Sequence, residues 1–264
     1  MTDMKTAQQQ VWAAGDYSRI GAALPLMSEL LCEDADLRGG ERVLDVATGS
    51  GNTALAAARR HCVVTGVDYV PALLERARLR ASAEQLEVDF QVGDAEELDF
   101  PDDAFDVVLS TLGVMFAPDQ RRTADELLRV CGPGGRIALT SWTPSGFGGT
   151  VFELFNRFVP APPDTPSALR WGSDDGLVEL FGDRVREVRT RIRRQVFRYP
   201  SVEHYVRWYA TYFGPTIAAE DALDAAGRER LRAEFAALIG ELNTAADGTL
   251  VLPAEYLSFH AVAR

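Results

Sequence analysis

Lysine is all but missing from these 264 residues: Lys5 is the only one, and arginine supplies the rest of the 27 cationic side chains. Against them stand 39 acidic residues, for a formal net charge of −12. Nucleic-acid affinity draws on clustered lysine and arginine against phosphate, so this balance argues against a polyanionic partner. Cysteine is scarce too. Cys32, Cys62 and Cys131 are isolated, odd in number and never in a Cys-x-x-Cys pair. That excludes a disulfide framework and a cysteine metal site, and fits three small core side chains in a reducing compartment. No apolar run approaches a membrane span. The first ten residues lack the basic start and apolar core of a secretory signal. The expectation is a cytoplasmic protein without nucleic-acid, membrane or metal partner; homodimer formation stays open.

What is present is the composition of an ordinary folded chain, 47% hydrophobic and 25% charged. This length can bury one substantial core, and α/β chains of this size often remain a single unit. One run goes against the acidic trend: Arg184, Arg186, Arg189, Arg191, Arg193, Arg194 and Arg198. It alternates with Val188, Ile192 and Val196 as a half-buried strand does. It reads as the charged face of a guarded edge strand, or as a clamp for an anionic substrate or carrier, and position in the fold decides between them.

From Arg42 to Trp142 strands and helices alternate, the pattern of a parallel sheet covered on both faces. Strands are expected over Arg42–Ala47, Cys62–Val67, Glu87–Val92, Phe105–Ser110 and Arg136–Trp142. Helices are expected over Asn52–Arg60, Pro71–Ala83 with proline in the first turn, and Gln120–Val130 ending at Cys-Gly-Pro-Gly-Gly. Beyond Trp142 the rhythm breaks. A helix over Phe147–Val159 precedes a rigid loop over Pro160–Pro166. Strands at Val185–Phe197 and Leu250–Val262 then bracket helices at Val202–Tyr212 and Arg228–Leu242. The expected fold is α/β, a Rossmann-like doubly wound, mostly parallel seven-stranded sheet closed by an antiparallel C-terminal pair. The helical segment Gln8–Cys32 and the helices between the last two strands are the candidates for a lid.

The richest stretch is Val43-Leu-Asp-Val-Ala-Thr-Gly-Ser-Gly-Asn-Thr-Ala54. A strand carrying Asp45 runs into a glycine-rich turn that opens directly into a helix, whose free amides and dipole favour an anion. Asp68 and Asp94 end the next two strands, and Ser110–Phe116 follow the fourth. Ligands of open parallel sheets sit at such strand ends, where strand order reverses. Gly49-x-Gly51-x-x-Ala54 also matches the loose dinucleotide pattern, with Asp68 where a ribose-binding acid belongs, so a nicotinamide-dependent oxidoreductase is an alternative. Asp45 inside the first strand, and the second acid Asp94 beside Ala95, pull the other way. A ligand with a cationic amine, a carboxylate, a ribose and an adenine uses every one of these groups, and S-adenosylmethionine is such a ligand.

Here the chain resembles the class I S-adenosylmethionine-dependent methyltransferases, in particular the bacterial small-molecule group related to ubiquinone/menaquinone-biosynthesis enzymes. The resemblance lies in Leu44–Asn52, Gly66-Val67-Asp68, Gly93-Asp94-Ala95-Glu96 with Phe100-Pro101, Phe105-Asp106-Val107-Val108, and Arg129-Val130 through Pro133-Gly134-Gly135. It covers residues 40–142 firmly and extends more loosely to Val11–Tyr17 and Trp208–Pro215. It implies one methyltransferase domain over 1–264, with its cofactor core at 40–142 and helical cover from 1–39 and 200–245. It also implies roles. Asp45, Ala47, Thr48 and Gly49 face the methionine end, Gly51 lets the main chain approach, and Asn52 starts the helix that favours the carboxylate. Asp68 takes the ribose hydroxyls and Tyr69 lies on the adenine. Asp94 takes the adenine amine, with the Ala95 amide on a ring nitrogen. Thr111 and Phe116 line the sulfonium side, and Tyr17 is a partner for the carboxylate.

Methyl transfer from a sulfonium, leaving S-adenosylhomocysteine, needs alignment and exclusion of water more than it needs a base. No Ser-His-Asp set, metal triad or reactive cysteine is visible, and none is required. If a base acts, His204 and Tyr212 are its candidates, whereas His61 and His260 lie in strand patterns and read as structural. Tyr205, Trp208, Tyr209, Tyr212 and Phe213, with Trp142 and Met115, are candidates for core packing or for an aromatic wall over a small-molecule acceptor. A protein that binds the cofactor without transferring its methyl is the remaining alternative.

Overall fold

The computed structural model describes residues 2–162 and 165–264. Its elements in chain order are α1 (Thr2–Ala13), α2 (Tyr17–Gly21), α3 (Pro25–Asp34), β1 (Arg42–Val46), α4 (Asn52–Ala58), β2 (Val63–Asp68), α5 (Pro71–Ala83), β3 (Asp89–Val92), β4 (Val107–Thr111), α6 (Gln120–Cys131), β5 (Arg136–Trp142), α7 (Phe147–Phe158), α8 (Asp174–Phe181), β6 (Val185–Tyr199), α9 (Val202–Tyr212), α10 (Gly214–Asp221), α11 (Ala225–Leu242) and β7 (Leu250–Ala263). The seven strands form one sheet in the order β3-β2-β1-β4-β5-β7-β6. The first five run parallel; β7 pairs antiparallel with both β5 and β6. The fold is the doubly wound, Rossmann-like arrangement the alternation implies. Among the described residues no helix is long and apolar enough to cross a membrane.

Sequence explains the layers. Val43, Leu44 and Val46 are fully buried, as a strand covered on both faces must be. On one face the small residues Ala54, Ala56, Ala57 and Ala58 let α4 sink against the sheet and α3, around Cys32, Val64 and Phe90. On the other, Leu127 and Val130 of α6 join Trp171, Phe181 and Phe259. Asp119 caps α6 by accepting the Arg122 amide at 3.0 Å, and Gly132 at φ 66° releases the chain at its end.

Several expectations shift. β3 is only four residues long, because it finds pairing partners in β2 only from Thr65 to Asp68. The N-terminal segment divides into three helices, and α8 and α10 are additional. His61 stands exposed in the turn before β2 rather than in a strand. Val188 and Ile192 are 52% and 58% exposed, not half-buried, because β6 is the sheet's outer strand. Its arginines reach acids of the protein itself: Arg193 meets Asp34 at 2.6 Å and Arg194 meets Glu255 at 3.0 Å. Of the loop expected over Pro160–Pro166, residues 163 and 164 lie outside the described residues.

Candidate active site

Strand order reverses between β1 and β4, and the chain at the carboxyl ends of both strands is strained. Ala47 after β1 and Leu112 after β4 hold φ of 55° and 56°, a left-handed backbone that costs an L residue on the order of 1 kcal/mol and persists only where packing enforces it. Both face one cavity of 1590 Å³. Small-molecule pockets commonly hold about 300–1,000 Å³, so this one has room for two ligands side by side.

The β1–α4 turn forms one wall. Gly49 (φ 55°) lines the cavity, and a Cβ there would meet nothing within 4 Å. Gly51 (φ 86°) does something else. A Cβ on it would press on Ala77 at 3.1 Å and Phe90 at 3.2 Å, so this glycine seats the turn against α5 and β3 and does not line the cavity. That corrects the expectation of an approach to ligand at Gly51. Arg80 of α5 braces the turn by donating to the Ser50 carbonyl at 2.6 Å.

Three acids stand along this wall. Asp45 is buried; its Oδ2 accepts the Thr48 hydroxyl (2.6 Å) and the Ala54 amide (2.9 Å), while Oδ1 is buried without a partner. Burial pushes its carboxyl up to about 7. Asp68 accepts the Gly49 and Val70 amides, each at 2.9 Å, and burial raises it to about 6. Asp94 accepts the Glu96 amide at 2.9 Å on Oδ1, and its Oδ2 meets the Lys5 ammonium at 2.6 Å. Deeper in, Thr53 Oγ1 lies 2.7 Å from Thr111 Oγ1 and 3.1 Å from Ser28 Oγ, and Asn52 Nδ2 donates to the Gly21 carbonyl at 2.8 Å.

The opposite half is aromatic. Trp142, Phe147, Phe152 and Phe155 meet Phe197, Tyr205, Tyr209, Phe213 and Phe235 across it, and Met115 also faces the cavity. Tyr17 and Phe116 stand between the halves, bridged by Trp12, whose ring centroid is 5.4 Å and 4.8 Å from theirs.

Tyr17, Asp45, Ala47, Thr48, Gly49, Asn52, Asp68, Tyr69, Asp94, Ala95, Thr111 and Phe116 therefore all line one space. His204 and Tyr212 do not. His204 lies one position, about 100° of helix, from the cavity-facing Tyr205, and Tyr212 precedes the cavity-facing Phe213 at the helix end. His204 stacks instead on Trp208 at 5.8 Å, Tyr212 meets the same ring edge-on at 4.7 Å, and the Arg19 guanidinium sits 4.7 Å from the Tyr212 ring. The expectation of a base at either position is corrected accordingly. None of the seven arginines of the basic run lines the cavity, which removes the anion-clamp reading. His260 is buried in β7, 2.9 Å from Ser258 Oγ and held down to about 4 by desolvation. Sequence reasoning missed Lys5, Gln8, Gln9, Ser28 and Thr53 and the phenylalanines of α7. Only the last carried a signal, in the i, i+3 helical spacing of Phe152 and Phe155.

Comparison with known proteins decides what this cavity belongs to. Residues 44–139 match the family profile described as "Methyltransferase domain". A demethylmenaquinone methyltransferase of Thermus thermophilus is 37% identical over 161 residues, covering 54% of this chain and 73% of that protein. The chain belongs to the class I S-adenosylmethionine-dependent methyltransferases. An uncharacterised protein of Mycobacterium tuberculosis is 43% identical over 218 residues, 81% of this methyltransferase and 79% of the relative. The YcgJ protein of Bacillus subtilis shares the fold, with a TM-score of 0.61 at 22% identity over 92% of this chain and 98% of that one.

The cofactor of this methyltransferase is S-adenosylmethionine, and its own atoms fit that ligand. The unpartnered Oδ1 of Asp45 suits a cationic amine, the open side of Gly49 leaves room for a close approach, and Asp68 is fixed by two amides at the cavity wall. The nicotinamide-dependent oxidoreductase considered from the glycine pattern is thereby set aside.

Proposed function

We propose that this methyltransferase transfers a methyl group from S-adenosylmethionine to a small, largely apolar acceptor, in a chamber covered by the helices of residues 1–39 and 200–245. The observation that carries this reading is the two-part cavity, acidic and backbone-rich at the ends of β1–β3, aromatic where α7, α9 and α11 face each other. In this reading Asp68 accepts the ribose hydroxyls, Tyr69 lies on the adenine, and Asp94 with the Ala95 amide binds its edge. Asp45 and the chain from Ala47 to Gly49 hold the methionine amine. The start of α4 at Asn52 faces the carboxylate, which Tyr17 also reaches, and Thr111 and Phe116 flank the sulfonium.

The bound cofactor supplies an already activated methyl group. The chain supplies alignment and dryness: the aromatic walls place the acceptor in line with the methyl–sulfur bond and exclude water that would compete for the methyl. Burial holds the Tyr17, Tyr205 and Tyr209 phenols above their ordinary value of 10. All three stay protonated near neutral pH; Tyr17 donates to the cofactor carboxylate, while Tyr205 and Tyr209 serve as hydrogen-bond donors to a polar atom of the acceptor, not as bases.

The test has two stages. Titration with S-adenosylhomocysteine should show binding to the intact protein. Labelled S-adenosylmethionine with a metabolite extract should then yield a labelled small molecule, identified by mass spectrometry. Binding without any labelled small molecule would overturn the transfer reading and leave a non-catalytic binding protein.

A further inference from the structure

The only lysine of the chain stands at the acidic rim of the cavity. Lys5 Nζ lies 2.6 Å from Asp94 Oδ2 and 2.5 Å from Glu96 Oε2. The Glu96 side chain is only 2% exposed. A carboxylate so deeply placed needs a partner, and removing one leaves an uncompensated charge. Glu96 has the Asp119 amide on Oε1 at 2.6 Å and Lys5 on Oε2. The other cation facing the cavity, Arg122, spends its Nε on the Glu96 backbone carbonyl and not on the carboxylate.

The rest of α1 follows the same course. Gln8 donates to the Phe116 carbonyl at 2.6 Å, Gln9 donates to the Tyr69 carbonyl, and Trp12 packs on Phe116 and Tyr17. One helix thus joins the loops that follow β2, β3 and β4, and each of these partners lines the cavity.

We propose that Lys5 is a positioning residue for the cofactor: by neutralising Glu96 and bonding Asp94 Oδ2 it fixes Asp94 toward the adenine amine, so that docking of α1 and cofactor binding are one linked equilibrium. The inference rests on Asp94 being the adenine-side acceptor, as in the function proposed above. Asp94 Oδ2 keeps a second lone pair while Lys5 is bound, so the ammonium and the adenine amine share the carboxylate without competing.

The solitary lysine also supplies the reporter. A lysine-specific endoprotease has one cleavage site in the 264 residues, after Lys5, and reaches it only when α1 lifts off. A ligand that binds only the docked form suppresses lifting by up to 1 + [L]/Kd, about a hundredfold at a hundredfold excess over Kd. Cleavage of the full chain, read by mass, should slow at least tenfold with S-adenosylhomocysteine at that excess. By calorimetry Lys5→Gln should weaken binding of the same ligand about tenfold, and Lys5→Arg should restore it to within threefold. An unchanged cleavage rate at saturating ligand, or wild-type affinity in Lys5→Gln, overturns the role of Lys5 while the functional reading stands. Failure of the intact protein to bind S-adenosylhomocysteine at all overturns both.

Discussion

The two halves of the cavity are built by different means. At the acidic half the carboxylates are held mainly by main-chain amides just beyond the strand ends: the Ala54 amide and the Thr48 hydroxyl hold Asp45, the Gly49 and Val70 amides hold Asp68, and the Glu96 amide, with the Lys5 ammonium, holds Asp94. At the aromatic half the walls are side chains from α7, β6, α9 and α11, far apart in sequence and held by ring-to-ring packing, as between Phe155 and Phe235 at 5.4 Å. The first construction tolerates almost no change in its parts. The second can exchange one apolar residue for another of similar volume, because packing asks for shape and not for donor geometry. A scaffold divided in this way keeps its cofactor while its acceptor changes.

Substitutions can break that division or sharpen it. The largest effect is expected from Asp68→Ala, which removes the proposed ribose acceptor and leaves the Gly49 and Val70 amides without this partner. Binding of S-adenosylhomocysteine should fall at least a hundredfold by calorimetry, consistent with loss of about 3 kcal/mol or more from charged hydrogen bonds and unpaired donors. Phe155→Ala should do the reverse. It should raise KM for the acceptor about tenfold, as loss of one aromatic contact of about 1.5 kcal/mol implies, and leave the product's affinity within twofold. Equal loss at both ligands would show that the halves are not separate.

A different effect concerns pH. Folded Asp45 keeps its proton up to about pH 7, whereas an unperturbed carboxyl releases it near 3.8. Between those values the unfolded chain binds fewer protons, so stability drops as pH rises through the window. Asp45→Asn cannot titrate. Its stability relative to the wild type, from urea melts, should improve by about 2–3 kcal/mol between pH 5 and pH 8. Smallest of all, His204→Ala and Tyr212→Phe should leave kcat and its pH profile within twofold, because neither side chain lines the cavity.

The same division explains what could be read from sequence. The acids at the ends of β1, β2 and β3 were legible because each lies at a fixed, short distance from a turn or helix start, so local spacing reports local geometry. Gly51 was visible as a glycine, but its reason, the ring of Phe90 and the Ala77 methyl, lies 39 and 26 residues away and left no trace nearby. On α9 the aromatic stripe was legible, while its rotation was not. Only the packing of Tyr205 and Tyr209 inward, with Arg19 gripping Trp208 and Tyr212 outside, decides which of two adjacent stripes meets the ligand. Lys5 shows the limit most clearly, since its partners Asp94 and Glu96 are some ninety residues downstream.

The placement of β7 has a consequence for synthesis. It lies between β5 and β6 although it emerges from the ribosome after both. Until it arrives, the fifteen-residue strand β6 has no neighbour on either side. A long unpaired strand is a template for association between nascent chains, and dense like charge is a means of preventing it. The arginines of β6 are therefore needed most before their partner strand has been made, as insulation for a ribbon that must wait.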